Sequence, residues 1–248
     1  MQYTSGSRSA RLIFLMPEDG LAQPELVHLV ERLATQAGEW GAFHLLAEVE
    51  ENSCALEGLR RSGFLVYAWQ RIWQFSAAAA NSKHDRSLWQ PAASIDEIGI
   101  RSLYQSLVPP LVQSAEPLTT RRLSGWVYRQ DGEILAYVEG IYGSHGIYLL
   151  PLIHPAVENV SQVLTNLLAH QQNWFGRPIY MTIRSYQAWL ETVVRDLECQ
   201  IGPRQALMVK HLVLHQRAFQ SNRHSVLEKY ATETTAPMVQ NSSANELH

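Results

Sequence analysis

Two side chains in the second half of the chain have the chemistry to accept a proton. Glu139 interrupts an otherwise apolar run, residues 135–141. A carboxylate enclosed by apolar side chains has a raised pKa and can act as a general base, directly or through water. Strand alternation could instead turn Glu139 towards solvent. His154, at the end of another apolar run, is the second candidate base, and a hydrogen-bonded structural histidine is its alternative.

Strands must position both candidates. Residues 124–129, 134–142 and 146–153 have the aromatic and β-branched composition of strands. Asp131-Gly132 between the first two predicts a tight hairpin turn. Pro151 lies inside the third strand, which is expected at a bulge that opens the sheet or at an ordinary sheet edge.

The rest of the second half alternates helices and strands. Asn159 and Gln162 form a capping pair before the apolar face of a helix that begins near Val160. The remaining predicted elements are a helix over residues 98–112, interrupted by Pro109-Pro110, a strand over 178–183, a helix over 188–197 and a strand over 206–214.

The first half repeats the order of the second. Strands are predicted over residues 12–16, 44–49 and 65–75, and helices over 25–37 and 52–61. Asn52 is the expected cap of the second helix, and Gly63 is its expected stop. In both halves a strand ending in a proline precedes an amphipathic helix, a turn that contains tryptophan, a strand, a short helix and a final strand.

Composition excludes several classes of protein. Of the 248 residues 46% are hydrophobic and 17% are charged, which is typical of a folded chain. The net charge of −3, with no clustering of Lys and Arg, disfavours nucleic acid and anionic lipid as partners. No apolar run is long enough to cross a membrane, and the dispersed histidines predict no metal site. Cys54 and Cys199 are expected to be buried, reduced thiols, and the protein to be cytoplasmic.

The first half carries a motif that resembles a known family. Asn52-Ser53-Cys54-Ala55, with Gly63-Phe64 eleven residues after the asparagine, is similar to the last helix of GNAT-superfamily acyltransferases. The resemblance implies a mixed α/β fold with one partial and one nearly complete GNAT-like unit. The predicted segments are a leader (1–10), the partial unit (11–75), a linker (76–95), the GNAT-like domain (96–216) and a disordered tail (217–248). A single mixed α/β domain of another fold is the alternative.

The resemblance also implies a substrate and its site. In this family the sheet opens between its fourth and fifth strands, and acetyl-CoA lies in the gap as the acyl donor. By that likeness the amides of Leu152 and Ile153 would polarise the thioester carbonyl. Residues at the start of the next helix, Asn159, Val160 and Ser161, would hold the pyrophosphate. Asn52, the asparagine of the first-half motif, completes the predicted cofactor-binding set.

The chain departs from the family pattern in the two loops that would bind pyrophosphate and at the position of the general acid. The family glycines fall near Gln23 and Glu25 in the first half, and the loop after Pro155 has neither glycine nor Arg or Lys. The second loop has fewer carboxylates, so the second half is the better candidate for binding CoA. The tyrosine that acts as the general acid in the family corresponds to Leu59 in the first half and to a position near Val194 in the second. Tyr186, which lies next to the counterpart of the helix-capping asparagine, is the candidate substitute. Its alternative is a packing tyrosine with a hydrated hydroxyl.

Two functions are therefore predicted from the sequence. The first is an N-acetyltransferase that acts on a small-molecule or peptide amine, with Glu139, His154 and Tyr186 as catalytic candidates. The second is a catalytically inactive GNAT-like binding or interaction module. Neither function requires a nucleic acid or a membrane, and binding of acetyl-CoA separates the two.

Overall fold

The computed structural model describes residues 1–16, 20–21, 23–75, 88–118, 124–171 and 177–212. The first third of the chain supplies four strands and two helices. In chain order these are β1 (Gln2–Tyr3), β2 (Ser9–Leu12), α1 (Glu25–Glu39), β3 (His44–Glu50), α2 (Cys54–Arg61) and β4 (Leu65–Phe75). The remaining elements are β5 (Trp89–Pro91), α3 (Glu97–Leu107), α4 (Pro110–Ala115), β6 (Gly125–Gln130), β7 (Glu133–Tyr142), β8 (Ile147–Ile153), α5 (Val160–Gln171), β9 (Ile179–Arg184), α6 (Leu190–Arg195) and β10 (Cys199–His211). Short 3₁₀ turns, Ser94–Asp96 and Ser185–Gln187, precede α3 and α6.

All ten strands join one mixed sheet, which confirms the predicted α/β class. The strand order is β1-β2-β3-β10-β4-β9-β8-β7-β6-β5. The β2–β3 and β8–β9 pairs are parallel, and every other pair is antiparallel. The hairpin predicted between β6 and β7 is confirmed, because Asp131 and Gly132 both have positive φ, 52° and 85°.

The final strands of the two halves are exchanged across the middle of this sheet. By the order of the first half, β4 would lie beside β3; β10 lies there instead. By the order of the second half, β10 would lie beside β9; β4 lies there instead. The two exchanged strands pair with each other. The units predicted at residues 11–75 and 96–216 thus share one sheet.

Helices cover both faces of the sheet. Helices α1 and α2 pack over β3 and β10, and α5 and α6 pack over β8 and β9 on the same face. Helices α3 and α4 cover the opposite face, where buried residues such as Leu46, Leu103, Tyr137 and Leu207 form a third core. No helix within the described residues is long and apolar enough to span a membrane.

Several predicted boundaries differ from the structure. The predicted leader contains β1 and the first half of β2. Strand β2 ends at Leu12, the residue where the first strand was predicted to begin. The end of the predicted linker forms β5 and the first 3₁₀ turn, while residues 76–87 lie outside the described residues. The last strand begins at Cys199, seven residues earlier than predicted. The predicted tail, 217–248, lies outside the described residues.

One helical prediction is confirmed and another fails, both for local reasons. The helix predicted over residues 98–112 is interrupted before Pro109-Pro110 as expected and forms α3 and α4. A residue before proline disfavours the helical region, and Val108 is extended there, with φ −89° and ψ 126°. The cap of α2 is Ser53, whose side chain accepts a hydrogen bond from the Ala55 amide; Asn52 lies exposed outside it. Both cysteines are free thiols as predicted, but the predicted burial is wrong, since Cys54 is exposed and Cys199 is half-buried in β10.

Candidate functional site

The sheet parts between β8 and β9, next to Pro151, where an opening of the sheet was predicted. Their parallel ladder joins Ile147, Tyr148 and Leu149 to Ile179, Tyr180 and Met181 and stops there, although both strands continue. Pro151 gives a physical reason. The amide of His154 bonds to Leu135 of β7, and alternation along β8 therefore turns the nitrogens of residues 151 and 153 towards β9. At Pro151 that nitrogen has no hydrogen to donate.

The side chain of Gln187 fills part of the gap. Its Oε1 accepts a hydrogen bond of 2.8 Å from the Ile153 amide, and its Nε2 donates one of 2.8 Å to the Pro151 carbonyl. Gln187 is only 1% exposed. The carboxamide thus takes the place of a strand partner for β8. The Ile153 amide predicted to polarise a carbonyl is already bonded, and alternation points the Leu152 amide towards β7.

The loop before α5 uses its amides internally. The amides of Ala156 and Val157 bond to His154, through Nδ1 at 3.1 Å and through the carbonyl at 3.1 Å. The Glu158 amide bonds to Gln130 Oε1 at 3.3 Å. These bonds use the three amides that precede Asn159, so that a pyrophosphate would have to be held by the amides at the start of α5 itself. They also give His154 the structural role that was its alternative.

Asn159 caps α5 as its pairing with Gln162 predicts. Its Oδ1 accepts a hydrogen bond of 3.3 Å from the Gln162 amide, and its φ is 49°. Asn159 and Ser161 are exposed, and Val160 is half-buried. Asn52 lies in the other half of the chain, before α2, so the structure does not bring it together with the α5 residues.

A cavity of about 620 Å³ lies on the face of the sheet that α3 and α4 cover. Strands β2, β3, β7, β8 and β9 and the end of α4 contribute to its walls. Of the predicted site residues, Glu139, Leu152 and Tyr186 line it; His154, Ile153, Asn159 and Asn52 do not. The apolar part of the wall includes Leu46, Val112, Leu118, Ile141 and Leu150.

Glu139 lines the cavity. It is half-buried, and this burial raises the pKa of its carboxyl group. Among the described residues no hydrogen bond or ion pair holds its carboxylate. An unpaired carboxylate with a raised pKa has the environment that a general base requires, and the role of Glu139 as a base stays a prediction.

A charged network that the sequence did not reveal lies in the same cavity. Glu116, just after α4, accepts a hydrogen bond of 3.1 Å from Arg184 Nη2 and another from the Tyr67 hydroxyl. Its second ion pair, with Arg11 at 3.5 Å, reaches across to β2. The partners are 49 to 105 residues apart in the chain, so no local spacing could predict the network. The one sequence feature that could have indicated the network is Arg184, a charged residue directly after the predicted strand 178–183.

Tyr186 lies beside this network. Burial raises the pKa of Tyr186 to about 12; the Arg184 guanidinium opposes that rise, and the Glu116 carboxylate adds to it. The hydroxyl is therefore protonated throughout the neutral range and can donate a hydrogen bond. It remains a poor proton donor to a thiolate, whose conjugate thiol has a pKa near 8.5.

Comparison with known proteins identifies the fold. No protein-family model and no curated protein matches this chain by sequence. A functionally unknown conserved protein from Staphylococcus epidermidis ATCC 12228 is similar over 80% of this chain and 90% of its own, with 12% identity and a TM-score of 0.52. A GCN5-related N-acetyltransferase from Kribbella flavida is similar over 75% of each chain, also with 12% identity and a TM-score of 0.52. The chain therefore has the GNAT fold.

Metal chemistry has no candidate centre within the described part of the chain. No three potential ligands among its His, Cys, Asp and Glu side chains come together there.

Proposed function

We propose that this protein is an N-acyltransferase that transfers an acetyl group to an amine held in the cavity. One observation carries the proposal: an unpaired, half-buried carboxylate, Glu139, lines a cavity beside the point where β8 and β9 part. The GNAT fold of the chain supports the reaction class. Acetyl-CoA is the proposed acyl donor, and it would supply a thioester carbonyl for attack by the amine.

The residues of this chain have limited roles in that reaction. Glu139 accepts a proton from the ammonium group of the acceptor, so that the amine nitrogen becomes nucleophilic. The apolar wall holds the acceptor and excludes water. The Tyr186 hydroxyl provides a hydrogen-bond donor, and its high pKa keeps the proton on the oxygen.

Part of the loop before α5 is not free to bind the nucleotide end of CoA. The amides of Ala156, Val157 and Glu158 bond within the chain, and Gln187 occupies the edge of β8 that faces the gap. The proposed pyrophosphate contacts therefore remain those of Asn159, Val160 and Ser161 at the start of α5. These same observations favour a second candidate function, a GNAT-like binding protein without catalysis.

Calorimetric titration with acetyl-CoA separates the two functions. A dissociation constant in the micromolar range supports the enzyme, while millimolar or undetectable binding leaves the binding protein. Release of free CoA thiol in the presence of an amine panel then tests turnover. Replacement of a general base costs about 10²- to 10⁴-fold, so Glu139→Gln should lower turnover by that factor and leave acetyl-CoA affinity unchanged. Glu133→Gln, at an exposed position of the same strand, is the matched control.

A further inference from the structure

The charged side chains of the cavity divide into paired and unpaired groups. Arg11 pairs with Glu48 at 2.9 Å, and Arg184 pairs with Glu116 at 3.1 Å. Within each pair the positive and the negative charge offset each other. Glu139 has no such partner among the described residues that line the cavity, so its carboxylate is the group most available to a cationic ligand.

Arg184 retains unused donors. Its side chain is 10% exposed, and only Nη2 contacts Glu116. Nη1 is buried and has no hydrogen-bond partner within the described residues. A buried donor without a partner costs free energy, which a ligand oxygen would recover once the Arg184 side chain turns Nη1 into the cavity. The planar fork of a guanidinium matches the geometry of a carboxylate.

Strand register places Glu139 and Arg184 on the same face of the sheet. Glu139 pairs with Leu150 of β8, and β8 is also the neighbour of β9, which ends at Arg184. Standard strand spacings put the two Cα atoms about 12 Å apart, before the divergence of β8 and β9 is added. Both side chains line the cavity, so the space between their charged ends suits a small molecule.

We propose that the cavity binds a zwitterionic amine, with the ammonium group at Glu139 and the carboxylate at Arg184. Arg8, which is exposed, also lines the cavity and adds to its positive charge. The apolar wall of Leu46, Val112, Leu118, Ile141 and Leu150 accommodates an apolar side chain. This assignment rests on the proposed function for its chemistry, because it makes an amino acid the acetyl acceptor.

Three matched probes test the proposal without an acyl donor. L-leucine carries both charges, L-leucinamide only the ammonium group, and 4-methylpentanoate only the carboxylate. Calorimetry at about pH 6.5 keeps both amines protonated. A hydrogen bond to a charged group corresponds to about a tenfold to hundredfold change in affinity, so the wild-type protein should bind leucine more tightly than either analogue by that factor.

Substitutions then assign each charge to its site. Arg184→Met should remove the preference of leucine over leucinamide, and Glu139→Gln the preference of leucine over 4-methylpentanoate. Arg195→Met and Glu133→Gln change exposed residues outside the cavity and should preserve both preferences. Arg184→Lys keeps the charge beside Glu116 and tests the guanidinium geometry if the methionine variant does not fold.

The wild-type comparison is decisive without any variant. Equal affinity for the three probes overturns the proposal. If leucine does not bind, the same sets built on glycine, phenylalanine and 4-aminobutyrate are measured, and the absence of binding across all four zwitterions also overturns it. A protein that binds a zwitterion but not acetyl-CoA retains this site and loses the proposed acyl transfer, so the two failures are distinguishable.

Discussion

At the scale of single residues, Glu139 links burial to pH. Its folded-state pKa is raised because burial disfavours the charged form. The folded protein therefore holds this proton more tightly than the unfolded chain, whose glutamate pKa is about 4.3. Stability must then fall as the pH rises from the unfolded pKa through the folded one, and the penalty remains in full above that window.

Glu139→Gln should remove this penalty. The variant is expected to be more stable than the wild-type protein at pH 7.5. The difference in the free energy of unfolding should shrink at pH 4, where the carboxyl group of Glu139 is largely protonated in the folded and in the unfolded wild-type protein. Urea unfolding at the two pH values measures the change. Glu133→Gln, at an exposed position of β7, should show no comparable dependence. A difference that grows on acidification would contradict the assignment.

The residues of the site were only partly predictable from the sequence. Glu139 stood out because a carboxylate inside an apolar strand breaks a period-two pattern. Glu116 gave no such signal, because its partners Arg184, Tyr67 and Arg11 come from three distant strands. The hydrogen bond that the Ile153 amide donates to Gln187 could not be predicted, because Gln187 lies 34 residues later in the chain.

At the scale of elements, Gln187 substitutes for a missing strand partner. Gln187→Leu would leave the buried Ile153 amide and Pro151 carbonyl without their bonds. An unsatisfied buried group costs about 1–3 kcal/mol, so the loss of both bonds should destabilise the variant by about 2–6 kcal/mol. Urea unfolding gives the total, and hydrogen exchange should accelerate at Ile153. Unchanged exchange there would show that the carboxamide does not protect β8.

Close packing of α2 makes a second element-scale prediction. A Cβ at Gly58 would lie 2.3 Å from the Leu21 carbonyl oxygen and 2.7 Å from a Leu26 side-chain carbon. Gly58→Ala should therefore destabilise the protein by about 1–3 kcal/mol despite the better helix propensity of alanine. Gly38→Ala in α1 meets nothing within 4 Å and should stabilise by about 0.5–1 kcal/mol. Thermal unfolding of both variants measures the contrast, and equal shifts would contradict it.

The elements themselves were the most predictable part of the fold. Strands β6, β7, β8 and β9 lie within one residue of their predicted bounds, because turn residues and alternating patterns mark both ends. Strand β10 begins earlier than predicted because its first residues include Gly202 and Pro203, which interrupt a strand pattern. The register shift between Ile201 and Arg204 shows how the strand accommodates them.

At the scale of the whole molecule, the exchange of β4 and β10 could not be predicted. Each strand has an apolar pattern that suits either neighbour, because pairing partners are chosen by the assembled sheet and not by local composition. The repeat along the sequence predicts one partial and one nearly complete unit, each ending in a strand of its own. It does not specify which unit receives each final strand.

The exchange makes the two halves depend on each other. In a fragment of residues 1–95, β3 and β4 lack the strand that separates them, and the edges that β10 and β9 cover would be bare. We expect this fragment alone to fail to form a cooperatively folded monomer. Coexpression with residues 96–248 should restore a 1:1 complex, since each fragment supplies the partner of the other's edge. Size-exclusion chromatography with light scattering and thermal unfolding measure both outcomes, with the intact chain as the control. A stable, monomeric 1–95 fragment would show that β3 and β4 can pair directly, and the interdependence of the halves would then be wrong.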